Sequence, residues 1–224
     1  MLKKEEFNNL ASKYNTHLYT GLYGYVMRYC HRQLENFKRK KKYPKVLEIG
    51  AGNAPHLDYL RHEYEEYFIA ETSSYAMDFY KGMKNVKAYS YDGINLPFED
   101  NFFDRIIISH CLEHTSEPEK LLFEAMSKLK NGGVLSISLP TDPGLLWRLG
   151  RLFIKYFIVN RTYNISKEEY EYINATEHIN SIFTLINLIR YNFKNQIEEY
   201  YLPFRIKLLD VNLFYIVHIT KLGS

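Results

Sequence analysis

The residues of this chain that could do chemistry fall into a ligand seat and a reacting edge. The seat is Lys45-Val46-Leu47-Glu48-Ile49-Gly50-Ala51-Gly52-Asn53-Ala54-Pro55, where an apolar, partly β-branched run passes into two closely spaced glycines. This reads as a buried strand entering a tight turn, since glycine lets backbone approach a ligand and adopt dihedrals closed to other residues. Asn53 or Pro55 can start the next helix, whose first N–H groups would face the same cavity. Glu71 follows the apolar segment Tyr67-Phe68-Ile69-Ala70, twenty-one positions beyond Gly50. At that offset a carboxylate closing a second strand meets ribose hydroxyls; an ordinary acid at a helix start is the other reading.

Proton chemistry would fall to histidine, whose unperturbed pKa lies near neutrality. His178, in the polar cluster Glu177-His178-Ile179-Asn180, is the first candidate for a base or acceptor-positioning group. His110, after the fourth strand, and His17, in the N-terminal segment, follow it. For His110 and for His114 four positions later, a satisfied structural histidine is the competing reading. The scattered Glu and His residues have no zinc or iron spacing, so no metal is assigned. Two cysteines, Cys30 and Cys111, give no disulfide framework and are compatible with a reducing interior.

Those groups must be held by regular elements, and from Val46 onward strand and helix patterns alternate. Strands are expected at 46–49, up to Ala70, at 86–89, 105–109 and 134–139, with a short helix after the glycine turn and others at about 73–80 and 117–130. Asn131-Gly132-Gly133 reads as the stop of the last of these. Apolar strands separated by amphipathic helices require covering layers on both faces of a largely parallel sheet. Two late strands, near 198–202 and 213–220, can pair antiparallel at an edge, after a helix capped by Asn180 or Ser181.

The division expected is an N-terminal helical cap over 1–44 and a main domain over 45–224, with a helical insertion around 141–180. Tyr14, Tyr19, Tyr23, Tyr25 and Tyr29, with His17 and His31, crowd the cap, where they can close a pocket or simply pack a helix on the core. In the insertion, Trp147, Leu149, Leu152, Phe153, Tyr156 and Phe157 form a broad apolar surface beside Arg148, Arg151 and Lys155. Core packing, dimerisation, a substrate lid and a peripheral-membrane helix are all open readings of it. The run Lys38-Arg39-Lys40-Lys41-Lys42 reads as a solvated helix terminus, with an anionic surface as the alternative.

At 224 residues and 46% apolar composition the chain can bury one substantial core, and the apolar fraction argues against global disorder. A net charge of +3 gives no strong pointer to nucleic acid, and none is expected as a partner. No apolar run reaches the roughly 18 residues of a membrane span, and the start lacks a secretory pattern. A cytoplasmic protein is expected, with peripheral membrane contact open and the oligomeric state unassigned.

The order of motifs is more specific than any one of them. Glu48-Ile49-Gly50-Ala51-Gly52-Asn53-Ala54, Glu71, Asp92, Leu96-Pro97-Phe98-Glu99-Asp100-Asn101-Phe102-Phe103-Asp104, His110-Cys111-Leu112-Glu113-His114 and Leu129-Lys130-Asn131-Gly132-Gly133 together resemble the class I S-adenosylmethionine-dependent methyltransferases, especially the broad small-molecule group. The resemblance is close over 45–140 and looser beyond. It implies an α/β, Rossmann-like sheet of seven strands in the order 3-2-1-4-5-7-6, mostly parallel with the seventh reversed, and helices on both faces. It further implies S-adenosylmethionine as cofactor, with Glu48, Gly50 and Gly52 around its methionine portion and Glu71 on the ribose. Thr72 would lie beside the adenosine, Asp92 on the adenine amino group with Gly93 and Ile94 near the ring, and His110 near the methionine end. Ala54 stands where the group often has a third glycine. A dinucleotide fingerprint wants G-x-G-x-x-G, and Pro55 fits that poorly.

The function implied is methyl transfer to a small-molecule acceptor, foremost a hydroxyl of a sugar, lipid-linked saccharide or other metabolite. N-methylation of an amine or nucleic-acid base is the alternative enzyme reading, although the Asn/Asp-Pro-Pro-Tyr signature is absent. A non-catalytic binding or scaffold protein on the same fold is the third.

Overall fold

The computed structural model describes residues 19–38, 40–52 and 56–223. His17 and Tyr14 of the expected cap, and Asn53, Ala54 and Pro55, lie outside the described residues.

Strands β1 (Lys45–Ile49), β2 (Glu66–Glu71), β3 (Val86–Ser90), β4 (Phe103–Ser109) and β5 (Leu129–Pro140) run parallel. β7 (Phe214–Thr220) lies antiparallel between β5 and β6 (Ile197–Leu202), so the sheet has the order β3-β2-β1-β4-β5-β7-β6. This is the topology that the resemblance implied.

The alternation of side chains divides the core in two. Leu47, Ile49, Ile106, Ile108 and Val217 point to one face, covered by α3 (Pro118–Lys128) and α6 (Ile182–Phe193). Val46, Tyr67, Ile107 and Ile216 point to the other, covered by Cys30 and Leu34 of α1 (Gly21–Leu34) and by Trp147 of α4 (Leu145–Phe157). Each aliphatic side chain so buried stabilises the fold by roughly 1.5–3 kcal/mol. The helix ahead of the sheet is therefore a covering layer as well as a neighbour of the site. α2 (Ser74–Phe79) is a short helix between β2 and β3.

Three local expectations need correction. The helix after the glycine turn is a single 3-10 turn, His56–Tyr59, among the described residues. The fourth strand begins at Phe103, which pairs with Leu129 across a register shift. The Asn-Gly-Gly signal does not cap α3: that helix stops at Lys128, Leu129 is already extended and buried, and both glycines lie within β5. Gly133 serves close approach there, because a Cβ on it would lie 2.8 Å from the Lys130 carbonyl oxygen and 3.1 Å from that of Asp104, while Gly132 takes a positive φ of +72°.

The insertion comprises α4, a π-helical turn at Val159–Tyr163 and α5 (Lys167–Glu177), joined by a satellite core of Ile154, Val159, Ile165, Tyr170 and Ile173. Ser166 starts α5 with a capping box: its Oγ accepts from the Glu169 N–H at 3.1 Å, and Glu169 Oε2 accepts from the Ser166 N–H at 2.6 Å. Ser181, of the two candidates, caps α6 by accepting from the Thr184 N–H. Lys40, Lys41 and Lys42 of the basic run sit just ahead of β1, at the sheet edge away from the glycine turn. There Lys41 and Lys42 pair with Glu63 and Glu65 at 3.8 and 2.6 Å.

Candidate active site

The glycine turn leaves β1 with both glycines at positive φ, +69° at Gly50 and +57° at Gly52, a region costly for residues with a Cβ. Their surroundings differ. A Cβ on Gly50 would lie 2.2 Å from the Cys111 sulfur, so this glycine makes room for the chain leaving β4. A Cβ on Gly52 would meet nothing within 4 Å, so this glycine borders open space. Glu71 ties the turn to the end of β2: its Oε2 accepts from the Gly52 N–H at 2.9 Å, and its Oε1 from the N–H groups of Thr72 and Ser73 at 2.8 and 3.2 Å. An ionised carboxylate has about four acceptor positions, so Oε2 retains capacity for a further donor such as a ribose hydroxyl.

Glu48 lies beneath the turn. Its two oxygens accept from the His56 N–H at 2.8 and 2.9 Å, and Oε2 also accepts from the Tyr67 hydroxyl at 2.6 Å. Burial pushes its pKa up to about 7 against the lowering effect of these bonds. At 1% exposure it is buried, and its bonds to the His56 N–H fix the chain after the turn.

From His56 a line of buried polar groups crosses the α1-covered face of the sheet. His56 Nε2 is 2.8 Å from Glu35 Oε1, which also lies 2.7 Å from Arg105 of β4. Arg105 Nε donates to Ser136 Oγ at 3.2 Å, and His218 Nδ1 is 3.1 Å from that same Oγ. In the other direction His31 Nδ1 is 2.9 Å from His56 Nδ1, and the Tyr19 hydroxyl is 2.7 Å from His31 Nε2. Burial alone would raise the Glu35 pKa, but the bond from His56 and the Arg105 charge hold it well below the carboxylate range. Burial lowers His31 and His56, and takes His218 down to about 3. Sequence reasoning missed this line, although Arg105 inside an apolar strand was a visible signal.

The turns after β2 and β3 converge. Gly93 has φ +95°, and a Cβ there would come within 3.9 Å of Thr72 Cγ2. Asp92 Oδ1 accepts from the N–H groups of Ile94 and Asn95 at 2.9 and 2.7 Å. With the Asn95 side chain bonded to Oδ2, these contacts keep the exposed carboxyl below its ordinary pKa. Gly52, Glu71, Thr72, Asp92, Gly93 and Ile94 thus line one edge of the sheet. The open space at Gly52 and the glycine at 93 fit an extended nucleoside.

His110, just past β4, has φ +51°, and burial lowers its pKa to about 4. Its ring meets Phe214 edge-on at 5.4 Å and His31 at 6.1 Å. His178 closes α5, with Nδ1 3.0 Å from Asp142 Oδ2. The same Asp142 oxygen is 2.6 Å from the Arg151 guanidinium. His114 stands edge-on to His178 at 4.9 Å, and its Nδ1 is 2.7 Å from the Glu177 carbonyl oxygen. Glu113 Oε1 lies between His110 and His114, at 3.9 and 3.8 Å. His110, His114 and His178 are therefore gathered at the carboxyl edge of β4 and β5. Asp142 and Arg151 were missed because the fold, not the spacing, brings them to His178.

Beside this edge lies a cavity of about 150 Å³ between α1, α4 and α5. Tyr23, Val26, Trp147, Ile154 and Tyr170 supply its apolar wall, and Arg151, Asn174 and His178 its polar groups. Trp147 packs edge-on against Phe214 at 5.8 Å, so the rings of Trp147 and Phe214 connect the cavity wall to His110. Among the described residues no group of three or more His, Cys, Asp or Glu side chains is placed to hold a metal ion.

A seven-stranded sheet of this order, with a glycine turn after β1 and an acid closing β2, has the fold of the class I methyltransferases, whose cofactor is S-adenosylmethionine. Residues 47–137, less than half of the chain, match the family described as methyltransferase domain. The demethylmenaquinone methyltransferase of Staphylococcus saprophyticus is 35% identical over 101 residues, 43% of this chain and 43% of that protein. The corresponding protein of Staphylococcus haemolyticus is also 35% identical, over 43% of this chain and 42% of its own. The match thus spans less than half the length of these curated relatives. Among solved structures, the plantazolicin methyltransferase BpumL in complex with a pentazolic analog and S-adenosylhomocysteine superposes with a TM-score of 0.65 at 16% identity, covering 99% of this chain and 92% of that one. A methyltransferase of Thermotoga maritima gives 0.64 at 19% identity over 96% and 97%. These structural likenesses are of fold.

Proposed function

We propose that the protein transfers the methyl group of S-adenosylmethionine to a hydroxyl of a small-molecule acceptor with a large apolar part, of the lipid-linked kind, in the cytoplasm. The observation that carries this reading is the cavity between α1, α4 and α5, apolar along its wall and polar at His178, Arg151 and Asn174. Its lining residues all lie outside the 47–137 match, so acceptor choice belongs to parts of the chain that the family match does not cover. A free sugar suits that wall poorly, whereas a saccharide or ring attached to an apolar chain suits both ends. The curated relatives are named for demethylmenaquinone.

When bound, S-adenosylmethionine supplies a methyl group already activated by its sulfonium. The protein's share is alignment and removal of a proton. Glu71 and the turn bearing Gly52 hold the nucleoside, and Glu48 stiffens the chain behind that turn through His56. His178 Nδ1 lies 3.0 Å from Asp142 Oδ2; with a proton held on Nδ1 beside that carboxylate, Nε2 is the acceptor of the hydroxyl proton. Alignment alone can supply effective molarities up to about 10⁵–10⁸ M in favourable systems. An amine bound neutral would need no such base, so the His178–Asp142 pair favours a hydroxyl.

Calorimetric titration with S-adenosylhomocysteine, with NADH as control, tests the cofactor. Incubation with S-adenosylmethionine and hydroxylated lipid-linked acceptors, read by product mass, tests the reaction. Saturable binding without product across a broad acceptor set would move the scaffold reading ahead.

A further inference from the structure

The outer face of α4 is left over once the site has been accounted for. Leu145, Leu149, Leu152, Phe153, Tyr156 and Phe157 recur at helical spacing on the side away from the buried Trp147 and Ile154, and each is between 48 and 63% exposed. Single apolar side chains are ordinary on a protein surface, but a contiguous stripe marks an interaction site.

The charges around the stripe indicate its partner. Residues 143–163 contain four basic residues and no carboxylate. Lys155 pairs with Glu171 and Arg151 with Asp142, while Arg148 and Arg161 are exposed. Tyr156 lies beneath Lys155 and one further cation, with Lys167 Nζ 4.8 Å and Lys155 Nζ 5.5 Å from its ring centre. The cavity opens toward the same face: Phe153 and Gly150 of α4 and the 68% exposed Leu22 of α1 all line it. No helix among the described residues is long and apolar enough to cross a membrane.

We propose that α4 lies flat on an anionic membrane surface, its apolar stripe at the boundary between headgroups and acyl chains and Arg148 and Arg161 at the lipid phosphates. A helix with an apolar stripe and basic flanks binds lipid in this way, through buried apolar area plus attraction to anionic headgroups. The acceptor then reaches the cavity directly from the bilayer. This entry route rests on the acceptor reading above; the surface contact does not.

The test is flotation of the full chain with phosphatidylcholine vesicles prepared with and without phosphatidylglycerol. Wild-type protein is expected to float with the anionic vesicles only. Leu149→Glu with Phe157→Glu should abolish flotation while the helical circular-dichroism signal is kept, and Arg148→Ala should weaken it about fivefold. Absence of flotation, or flotation indifferent to these substitutions, overturns the proposal. So does a stable dimer that does not float and that Leu149→Glu dissociates, which would make the stripe a protein–protein surface. S-adenosylhomocysteine binding by the same samples separates the two readings. Lost flotation with intact binding sinks the membrane contact alone, and flotation without binding sinks the cofactor assignment alone.

Discussion

Asp142 Oδ2 lies 3.0 Å from His178 Nδ1, joining an acid just past the fifth strand to a histidine that closes a helix of the insertion. If His178 removes the acceptor proton, His178→Ala should lower kcat by about 10²–10⁴, the usual share of general-base catalysis. Asp142→Asn should lower kcat less and alter the dependence of kcat on pH, because the amide no longer fixes the imidazole tautomer. S-adenosylhomocysteine affinity should be unchanged in both. Steady-state kinetics with calorimetry on the same preparations checks this, and an unaltered kcat for His178→Ala would remove the proposed base.

Glu71 joins the glycine turn to the second strand and keeps an acceptor position open. Hydrogen bonds to charged groups contribute about 1.5–3 kcal/mol, so Glu71→Ala should weaken S-adenosylhomocysteine binding about 10- to 150-fold. A folded variant that binds as tightly as wild type would refute the ribose contact.

Gly150 lines the cavity, and a Cβ there meets nothing within 4 Å. Gly150→Phe should therefore fill the cavity without backbone strain and raise KM for the acceptor, leaving cofactor affinity alone. Equal KM values would place the acceptor elsewhere.

Glu35 and Arg105 are both fully buried. Removing one partner of such a pair costs about 3–5 kcal/mol, because the other charge is left uncompensated. Glu35→Gln should show that loss in urea unfolding, and a loss below about 1 kcal/mol would mean that Ser136 suffices for Arg105.

Stability should fall as pH drops from about 7 to 5. Burial lowers the folded-state pKa of His31, His56, His62, His110 and His218. The unfolded chain therefore binds more protons below its ordinary histidine pKa of about 6.5, each such group removing up to ~1.4 kcal/mol per pH unit. Glu48, raised to about 7, works the other way, since the folded state takes up its proton first. One group opposes five, so the net slope is positive. Glu35, held low, reinforces the loss only once pH falls below the ordinary carboxylate range. Thermal unfolding at several pH values reads the slope, and a Tm that rises on acidification would contradict it.

The sheet was legible because parallel strands buried on both faces leave continuous apolar runs, and Ile106-Ile107-Ile108 or Val46 to Ile49 admit few other readings. The turn at Gly50 and Gly52 was legible because positive φ restricts residue type. The Gly132-Gly133 signal misled because glycine serves close backbone approach as readily as a helix end. The lines from Tyr19 to His218 and from His178 to Arg151 could not be read from local pattern, since each member is an ordinary polar residue until distant segments meet.

The pairing of Glu35 with Arg105 also decides what can be moved as a piece. The glycine turn, the acid of the second strand and the fourth strand look like a portable cofactor cassette starting at Lys45. Cut there, the cassette would carry a guanidinium at its centre with its counter-ion left behind, and His56 would lose the carboxylate that orients it. The smallest unit that an engineer could transplant into another protein must include the helix written ahead of it.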